Sequence, residues 1–384
     1  MSDPSTQQLA ELIHRADARA VIALTGGGSS AIADLLQVPG ASRTVIEAVV
    51  PYDLAALENF LGGRVEQACS CKTARAMAMT AWQRSRDLCD DDAGSLGVGC
   101  SASLVSDRPK RGEHRVHLAL QSLERTAVCS VVLEKDRRTR AEEEQLTGRL
   151  LLNLLAEGSG IDERTETGLG EEEAVAVRFA DAEPEWQDLM IGLLDAVCEE
   201  MCDETGEELP ERASSGLIFP GAFHPRHDGH VEMARIATEQ TGRTVEWEIS
   251  ITNVDKPALD YLEITERLAQ FDGPQPVWLT RAATFDEKSR LFPGATFVVG
   301  ADTIERIAAP RYYGDDPARR DAAVHEIVDR GCRFLVFGRR RSNEFVSLDE
   351  LELPPALRAI CDGVPEAKFR SDTSSTDVRN AGRL

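Results

Sequence analysis

The sequence lacks any apolar run approaching the roughly 20 residues that a membrane-spanning helix needs. Its amino-terminal residues contain no basic region followed by an apolar one, which argues against a signal peptide. Positive charge is also scarce, because 66 acidic residues outnumber 43 lysines and arginines and leave a net charge of −23. A phosphate backbone needs basic stripes, so this balance argues against general nucleic-acid binding. We therefore expect a cytoplasmic protein that uses neither a membrane nor nucleic acid as a partner.

The cysteine pattern shows no disulfide or zinc framework. There are nine cysteines, an odd count, and they are scattered through mostly apolar or helical contexts. Two close pairs, Cys69 with Cys71 and Cys198 with Cys202, have no second pair at zinc spacing. We predict reduced thiols and no metal site built from protein ligands.

What the chain does contain is an alternation of strand-like and helix-like segments, which predicts an α/β fold. Its 384 residues are enough for two domains, predicted at residues 1–157 and 213–384. For the second domain the pattern predicts a doubly wound parallel sheet with ligands at the carboxyl ends of its strands. The intervening residues 158–212 are acidic and partly glycine-rich, which predicts a linker with a short strand from Ala174 to Phe179 and a bridging helix from Trp186 to Met201.

The second half contains a distinctive stretch, Gly221 to His230, that reads Gly-Ala-Phe-His-Pro-Arg-His-Asp-Gly-His. The apolar run from Ser215 to Pro220 is typical of a buried strand, and residues 231–240 carry apolar side chains at helical spacing. A strand, a glycine turn and a helix start direct backbone N–H groups at one point, which suits a phosphate. His227 and His230 are three residues apart, so both can lie on one face of the first helical turn.

This stretch resembles the HxGH signature of the nucleotidyltransferase superfamily. The segment from Thr373 to Arg379 resembles the superfamily's second signature, Ser-Ser-Thr-x-x-Arg, and follows the first in the family's order. The resemblance implies that a triphosphate is held by residues of both signatures. The implied catalytic residues are His227, His230 and Arg379, and the implied nucleotide-binding residues are Gly221, Phe223, Gly229, Ser374, Ser375 and Thr376. Two alternatives stay open: His224, His227 and His230 as metal ligands, and Ser374 to Thr376 as a helix cap.

Within the superfamily, Gly300-Ala301-Asp302 resembles the Gly-x-Asp segment of the pyridine-nucleotide adenylyltransferases. The resemblance implies that Gly300 lets the backbone approach a ligand and that Asp302 accepts hydrogen bonds from ribose hydroxyls; a helix N-cap at Asp302 is the alternative. Lys256 corresponds loosely to a lysine near the acceptor's phosphate, with an ordinary surface lysine as the alternative. The basic candidates for attracting a polyanionic substrate in the second half are Arg226, Lys256, Arg281, Lys288 and Arg379.

The first half resembles the CinA C-terminal family, whose active members hydrolyse the amide of nicotinamide mononucleotide. The resemblance rests on three short stretches, Thr25-Gly26-Gly27, Val38-Pro39-Gly40 and Val49 to Tyr52. Two positions depart from the family: Ala23 stands where active members have a serine, and Leu57 where they have a lysine. An amidase acting through serine needs that hydroxyl and a base to activate it. We therefore predict a catalytically degenerate domain that binds a nucleotide or serves assembly.

The resemblances together predict an adenylyltransferase that joins AMP from ATP to nicotinamide or nicotinate mononucleotide and releases pyrophosphate. Mg²⁺ is expected to bridge the phosphates, held largely by substrate and water. Small-molecule nucleotides are the expected partners, and a homo-oligomer is left open. Two other hypotheses remain: a cytidylyl- or adenylyltransferase for another phosphorylated acceptor, and a nucleotide-binding sensor without catalysis.

Overall fold

The computed structural model describes residues 4–89, 94–108, 111–199, 214, 216–253, 257–341 and 344–369. The chain divides into two compact units. Met1–Gln187 and Asp255–Thr265 form the first unit, and Asp188–Val254 and Glu266–Leu384 form the second. Within the described residues, no helix combines the length and the apolar character that crossing a membrane requires.

The first unit contains one mixed sheet with strand order β2-β1-β3-β4-β5-β6. Strand β1 runs parallel to β2 and β3, and the remaining neighbours are antiparallel. From Pro4 to Ile191 the elements are α1 (Pro4–Arg15), β1 (Arg19–Thr25), α2 (Ser29–Gln37), β2 (Val45–Val49), α3 (Leu54–Leu61), α4 (Cys71–Asp87), β3 (Ser95–Ser103), β4 (His114–Gln121), β5 (Arg125–Leu133), α5 (Arg140–Gly158), β6 (Ala176–Asp181) and α6 (Pro184–Ile191).

Glycines on β3 explain how α4 lies directly against this sheet. A Cβ atom at Gly97 would stand 2.1 Å from the carbonyl oxygen of Ala78, and one at Gly99 would stand 2.2 Å from that of Ala74. Only a residue without a side chain allows so close an approach of helix and strand. The other side of the sheet packs against α1, α2 and α5 in the largest apolar core of this unit.

The second unit contains a seven-stranded sheet with order β15-β12-β11-β8-β9-β10-β7 and a separate hairpin of β13 and β14. Strand β7 is antiparallel to its neighbour β10, and all other pairs in the large sheet are parallel. The elements that follow α6 along the chain are β7 (Ala196–Glu199), β8 (Leu217–Pro220), α7 (Asp228–Thr241), β9 (Glu246–Ser250), α8 (Tyr261–Leu268), β10 (Val277–Thr280), α9 (Phe285–Leu291), β11 (Thr296–Gly300), α10 (Ala301–Ala308), α11 (Pro317–Asp329), β12 (Arg333–Phe337), β13 (Arg339–Arg341), β14 (Glu344–Val346), α12 (Pro355–Ala359) and β15 (Cys361–Val364). Of these, α8 begins in the segment Asp255–Thr265 that belongs to the first unit.

The order of the six parallel strands defines where a ligand is expected. In chain order the sheet grows from β8 through β9 to β10 on one side, then restarts at β11 beside β8 and grows through β12 to β15. This is the strand order of doubly wound dinucleotide-binding sheets, whose ligands lie where the direction of growth reverses. The reversal point here lies between β8 and β11. These strands are paired at Leu217–Ile218 and Thr296–Phe297, and both continue beyond the paired residues.

The structure confirms the prediction of mixed α/β architecture with parallel sheets, and the strand predicted near Ala174–Phe179 is β6. The helix predicted from Trp186 to Met201 is wrong in its second half. Helix α6 ends at Ile191, and Gly192 follows it in the left-handed conformation (φ 86°), a common way for a helix to end. The chain then forms β7, whose backbone pairs with β10 across the sheet edge. This pairing is a long-range contact that the local apolar pattern does not encode.

Candidate functional site

The turn after β8 is fixed by an aromatic cluster. Phe223 adopts a left-handed backbone conformation (φ 42°), is 2% exposed, and packs edge-on against Phe219 and Trp247. A Cβ at Gly221 would stand 2.5 Å from the Phe223 ring, so the glycine is required by this packing. The N–H of Gly221 donates to the carbonyl oxygen of Glu248 on β9 at 2.9 Å. The chain therefore leaves β8 along a defined path towards the start of α7.

His230 is held in the first turn of α7 as a neutral imidazole. Its Nδ1 accepts a hydrogen bond from the backbone N–H of His227 at 3.3 Å, which leaves the ring proton on Nε2. Its ring also packs edge-on against Phe223, with centroids 5.1 Å apart. Burial, with smaller contributions from His227 and Arg226 nearby, lowers the pKa of His230 to about 4. At neutral pH the side chain is thus an uncharged donor through Nε2.

His227 occupies the N-cap position of α7 and stacks on His230, with ring centroids 3.8 Å apart. Burial lowers the pKa of His227, and the adjacent Asp228 partly opposes that shift. Its Nδ1 is buried and has no hydrogen-bond partner among the described residues. A buried polar atom without a protein partner requires an explanation, and a bound ligand or water is the usual one. The two histidines thus share one face of the helix start, as their spacing indicated.

Arg226 stabilises the turn and is not available as a phosphate ligand, contrary to its candidacy from the sequence. Its backbone N–H donates to the side-chain oxygen of Gln270 at 2.7 Å, and its guanidinium donates to the Gln270 carbonyl oxygen. The guanidinium also lies over the rings of Trp247 and Phe271, at 5.3 and 5.2 Å from their centroids. Gln270 in turn donates to the Phe223 carbonyl oxygen at 2.9 Å, which closes a network around the turn.

Two other basic candidates are likewise committed to protein partners. Lys288 is 5% exposed and donates to a carboxylate oxygen of Glu248 at 2.6 Å and to the Ala282 carbonyl oxygen at 2.7 Å. Arg281 donates to the carbonyl oxygens of Leu189 and Met190 at 3.0 and 2.8 Å. Both side chains therefore anchor loops of the second unit, and neither is free to attract a substrate.

The second loop at the reversal point joins β11 to α10. Gly300 is the N-cap of α10, so the alternative interpretation of Asp302 as the N-cap is wrong. A Cβ built at Gly300 would meet no atom within 4 Å, so the space in front of this residue is open. Asp302 lies in the first turn of α10 and forms an ion pair with Arg339 at the start of β13. A carboxylate and open space therefore adjoin each other at the carboxyl end of β11.

Several predicted site residues lie outside the part of the chain that the structure describes. They are Lys256, Ser374, Ser375, Thr376 and Arg379. Gly229 is described and buried within the first turn of α7. Within the described residues, no group of three or more histidine, cysteine, aspartate or glutamate side chains could hold a metal ion, and this includes the set of His224, His227 and His230.

In the first unit, the two positions that depart from the amidase pattern lie in the same apolar cluster. Ala23 on β1 is fully buried, Leu57 on α3 is 1% exposed, and both pack with Val21, Leu61 and Met77. Serine and lysine at these positions would place a hydroxyl and an ammonium in an apolar interior.

The glycine turn of the first unit is closed by a carboxylate of the same chain. Glu144 on α5 accepts hydrogen bonds from the backbone N–H of Ser29 at 2.5 Å and from its hydroxyl at 2.8 Å. Ser30 donates through its hydroxyl to the Glu144 carbonyl oxygen at 3.1 Å, and Arg140 donates to the Gly26 carbonyl oxygen at 2.8 Å. The start of α2, where an anion would bind, already carries a negative group.

Comparison with known proteins gives a partial likeness. No family model matches the chain, and no curated protein matches it. Several solved structures resemble part of it, and three of them are as follows. A competence/damage-inducible protein from Agrobacterium tumefaciens is 23% identical, with 41% of this chain and 99% of that chain covered and a TM-score of 0.35.

Two further structures show the same extent of likeness. A CinA-superfamily protein from Escherichia coli is 14% identical over 41% of this chain and 92% of its own, with a TM-score of 0.32. A competence- or damage-inducible protein from Enterobacter asburiae is 18% identical over 41% of this chain and 94% of its own, also with a TM-score of 0.32. Each of the three structures leaves more than half of this chain without a counterpart.

Proposed function

We propose that the chain is a nucleotidyltransferase that transfers AMP from ATP to nicotinamide or nicotinate mononucleotide and releases pyrophosphate. The observation that carries this proposal is the start of α7. There a neutral His230 and a His227 with an unpartnered buried nitrogen lie at the reversal point of a doubly wound sheet. The Gly300 and Asp302 loop lies at the carboxyl end of β11, the strand beside β8. This arrangement offers donors for phosphates and a carboxylate for ribose hydroxyls.

The proposed reaction needs no nucleophile from the protein. An oxygen of the acceptor's 5′-phosphate attacks the α-phosphorus of ATP, and the bond between that phosphorus and the bridging oxygen to the β-phosphate breaks. Electrons of the broken bond leave with pyrophosphate. The protein contributes positioning and charge stabilisation, which suits donors held rigidly before the reaction.

Each described residue then has a defined task. His230 donates from Nε2 to an oxygen of the α-phosphate, because its Nδ1 is already occupied by the His227 N–H. The positive end of the α7 dipole adds to this attraction. The stacked arrangement of the two rings keeps both imidazoles on one face of the helix start. In the proposal, Ser374, Ser375 and Arg379 hold the β- and γ-phosphates, and Lys256 lies near the acceptor's phosphate.

Mg²⁺ enters this proposal with the substrate. In the proposal the cation is held largely by the phosphates of ATP and by water, as Mg²⁺ commonly is in phosphoryl-transfer sites. When bound, Mg²⁺ supplies positive charge to the oxygens of the departing pyrophosphate. The protein's part is to orient the phosphates through the start of α7.

For the first unit we propose a degenerate amidase-like domain, retained for nucleotide binding or assembly. The support is the apolar cluster that contains Ala23 and Leu57, together with the closure of the glycine turn by Glu144. A nucleophilic hydroxyl and its base are both replaced by side chains that stabilise a core. Release of ammonia from nicotinamide mononucleotide by the full chain would contradict this part of the proposal.

Pyrophosphate release by the full chain tests the proposed function. The assay pairs ATP or CTP with nicotinamide mononucleotide, nicotinate mononucleotide or a phosphorylated alcohol. Release with ATP and a pyridine mononucleotide is expected. Release only with another acceptor would indicate a different transferase, and nucleotide binding without any release would indicate a sensor.

A further inference from the structure

The ion pair between Arg339 and Asp302 lies beside the proposed nucleotide site. Strands β11 and β12 are parallel neighbours, and Gly300 pairs in register with Phe337. The ends of β11 and β12 therefore lie at the same level of the sheet. The backbone continues from β11 into α10 and from β12 through Gly338 into β13. Asp302 lies two residues after Gly300, and Arg339 lies two residues after Phe337. The side chains of Asp302 and Arg339 form their ion pair there. The pair thus stands at the carboxyl edge of the sheet, next to the reversal point.

This ion pair is exchangeable because both partners remain partly in solvent. The side chain of Arg339 is 48% exposed and that of Asp302 is 33% exposed. Exposed arginine–carboxylate pairs contribute little net stability, since each partner is well solvated when separated. A phosphate group offers arginine a bidentate acceptor with more negative charge than one carboxylate. If a phosphate takes the place of Asp302 as the partner of Arg339, the folded protein therefore loses little stability.

Other basic side chains around the proposed site are less available than Arg339. Lys288 is buried against Glu248, Arg281 is bound to two backbone carbonyl oxygens, and Arg226 is fixed between Gln270 and two aromatic rings. In a chain with a net charge of −23, a polyanion needs a local cation to bind. Arg339 differs from those three in having an exposed carboxylate as its recorded partner.

We propose that Arg339 binds a phosphate of the nucleotide, and that Asp302 is its counter-ion in the empty protein. On binding, the guanidinium transfers from the carboxylate to the phosphate, and the Asp302 carboxylate accepts hydrogen bonds from the ribose hydroxyls. One pair of side chains thereby recognises two parts of the nucleotide at once. This inference rests on the proposed nucleotide site, and it adds a phosphate-binding residue that lies in neither signature.

The test is isothermal titration calorimetry on the full chain with two probes, ATP and inorganic tripolyphosphate. Arg339→Gln is expected to weaken binding of both probes by about tenfold or more, the loss typical of a charge-assisted hydrogen bond. The matched control is Arg333→Gln. Arg333 starts β12, at the end of that strand opposite to the one that leads through Gly338 to Arg339, and it pairs with the exposed Asp362 at 3.0 Å. It therefore has the same chemistry away from the site. The control is expected to bind both probes within about twofold of the unaltered chain.

Asp302→Asn separates the two roles of the pair. It removes the negative charge and exchanges one carboxylate oxygen for an NH2 group, which leaves the ribose a single uncharged acceptor. ATP binding is therefore expected to weaken while tripolyphosphate binding stays equal or strengthens. Equal losses in the Arg339 and Arg333 variants, or weaker tripolyphosphate binding by Asp302→Asn, would overturn the inference. If the unaltered chain binds ATP and Arg339→Gln binds it equally well, only this inference fails. An unaltered chain that binds neither probe would overturn the proposed nucleotide site as well.

Discussion

Both units place a glycine turn and a helix start at the end of a strand with parallel neighbours, yet they treat that point differently. After β1, the start of α2 is closed by Glu144, which accepts from the Ser29 N–H and hydroxyl. After β8, the start of α7 carries two imidazoles, one with an unpartnered buried nitrogen. The hydrogen-bond donors at a helix start can therefore be paired with a side chain of the protein or left for a ligand. Side-chain chemistry at the turn decides which, and the predictions that follow test this contrast.

The largest effect is expected at the open turn. His230→Ala should lower the rate of AMP transfer by about 10²-fold to 10³-fold, the loss typical of one preorganised donor to a reacting oxyanion. The measurement is pyrophosphate release at saturating ATP and nicotinamide mononucleotide. His325→Ala provides the control, because His325 is exposed on α11 in the same unit. Equal turnover by the His230 variant and this control would contradict the assignment of the site.

In the first unit, the largest effect is expected from placing a charge at position 57, where active amidases have a lysine. Leu57→Lys would bury an unpaired ammonium in the apolar cluster and lower the free energy of unfolding by about 3 kcal/mol or more. Leu54→Lys is the control on the same helix, because Leu54 is 51% exposed and should tolerate the charge. Urea denaturation with hydrogen exchange of α3 and α4 measures both variants. A free energy of unfolding that is the same for Leu57→Lys and Leu54→Lys would contradict the burial of position 57 in this cluster.

The sequence predicted local elements well and side-chain partners poorly. Helical spacing identified α7 and placed His227 and His230 on one face, because both features depend on residues a few positions apart. Lys288 on α9 is bound by Glu248, 40 residues away on β9, so the presence of a lysine at this position alone suggested the wrong role. The edge strand β7 was predicted as helix for the same reason. Glu144, which closes the first turn, lies 115 residues from Ser29 and gave no local signal.

The protonation of His230 gives the open turn a pH dependence. Its pKa is about 4 in the folded chain, below the value of 6.5 expected when unfolded, mainly because of burial. A lowered histidine pKa contributes stability that is complete above pH 6.5 and is lost as the pH falls towards 4. Between pH 7 and pH 5 the loss should be on the order of 2 kcal/mol. Urea denaturation of His230→Gln should lack this component, and an unchanged pH profile would contradict the described burial.

Alanine at one glycine of each unit gives a smaller but sharper contrast. Gly26 has a φ of 82° and a Cβ there would stand 1.8 Å from the Ala102 carbonyl oxygen, so Gly26→Ala should destabilise the first unit by roughly 1–3 kcal/mol. Gly300 has a φ of −84° and open space, so Gly300→Ala should change stability by less than about 0.5 kcal/mol. It should nonetheless weaken ATP binding, because the methyl group projects into the proposed site. Thermal unfolding and ATP titration of both variants provide the check.

The most direct test of the account is a crystal structure of the full chain with the non-hydrolysable analogue α,β-methylene ATP and Mg²⁺. The account predicts that the α- and β-phosphates lie within hydrogen-bond distance of His230 Nε2 and the start of α7. It also predicts that the segment from Ser374 to Arg379 contacts the same triphosphate. A nucleotide bound elsewhere, with the start of α7 facing only solvent, would contradict it.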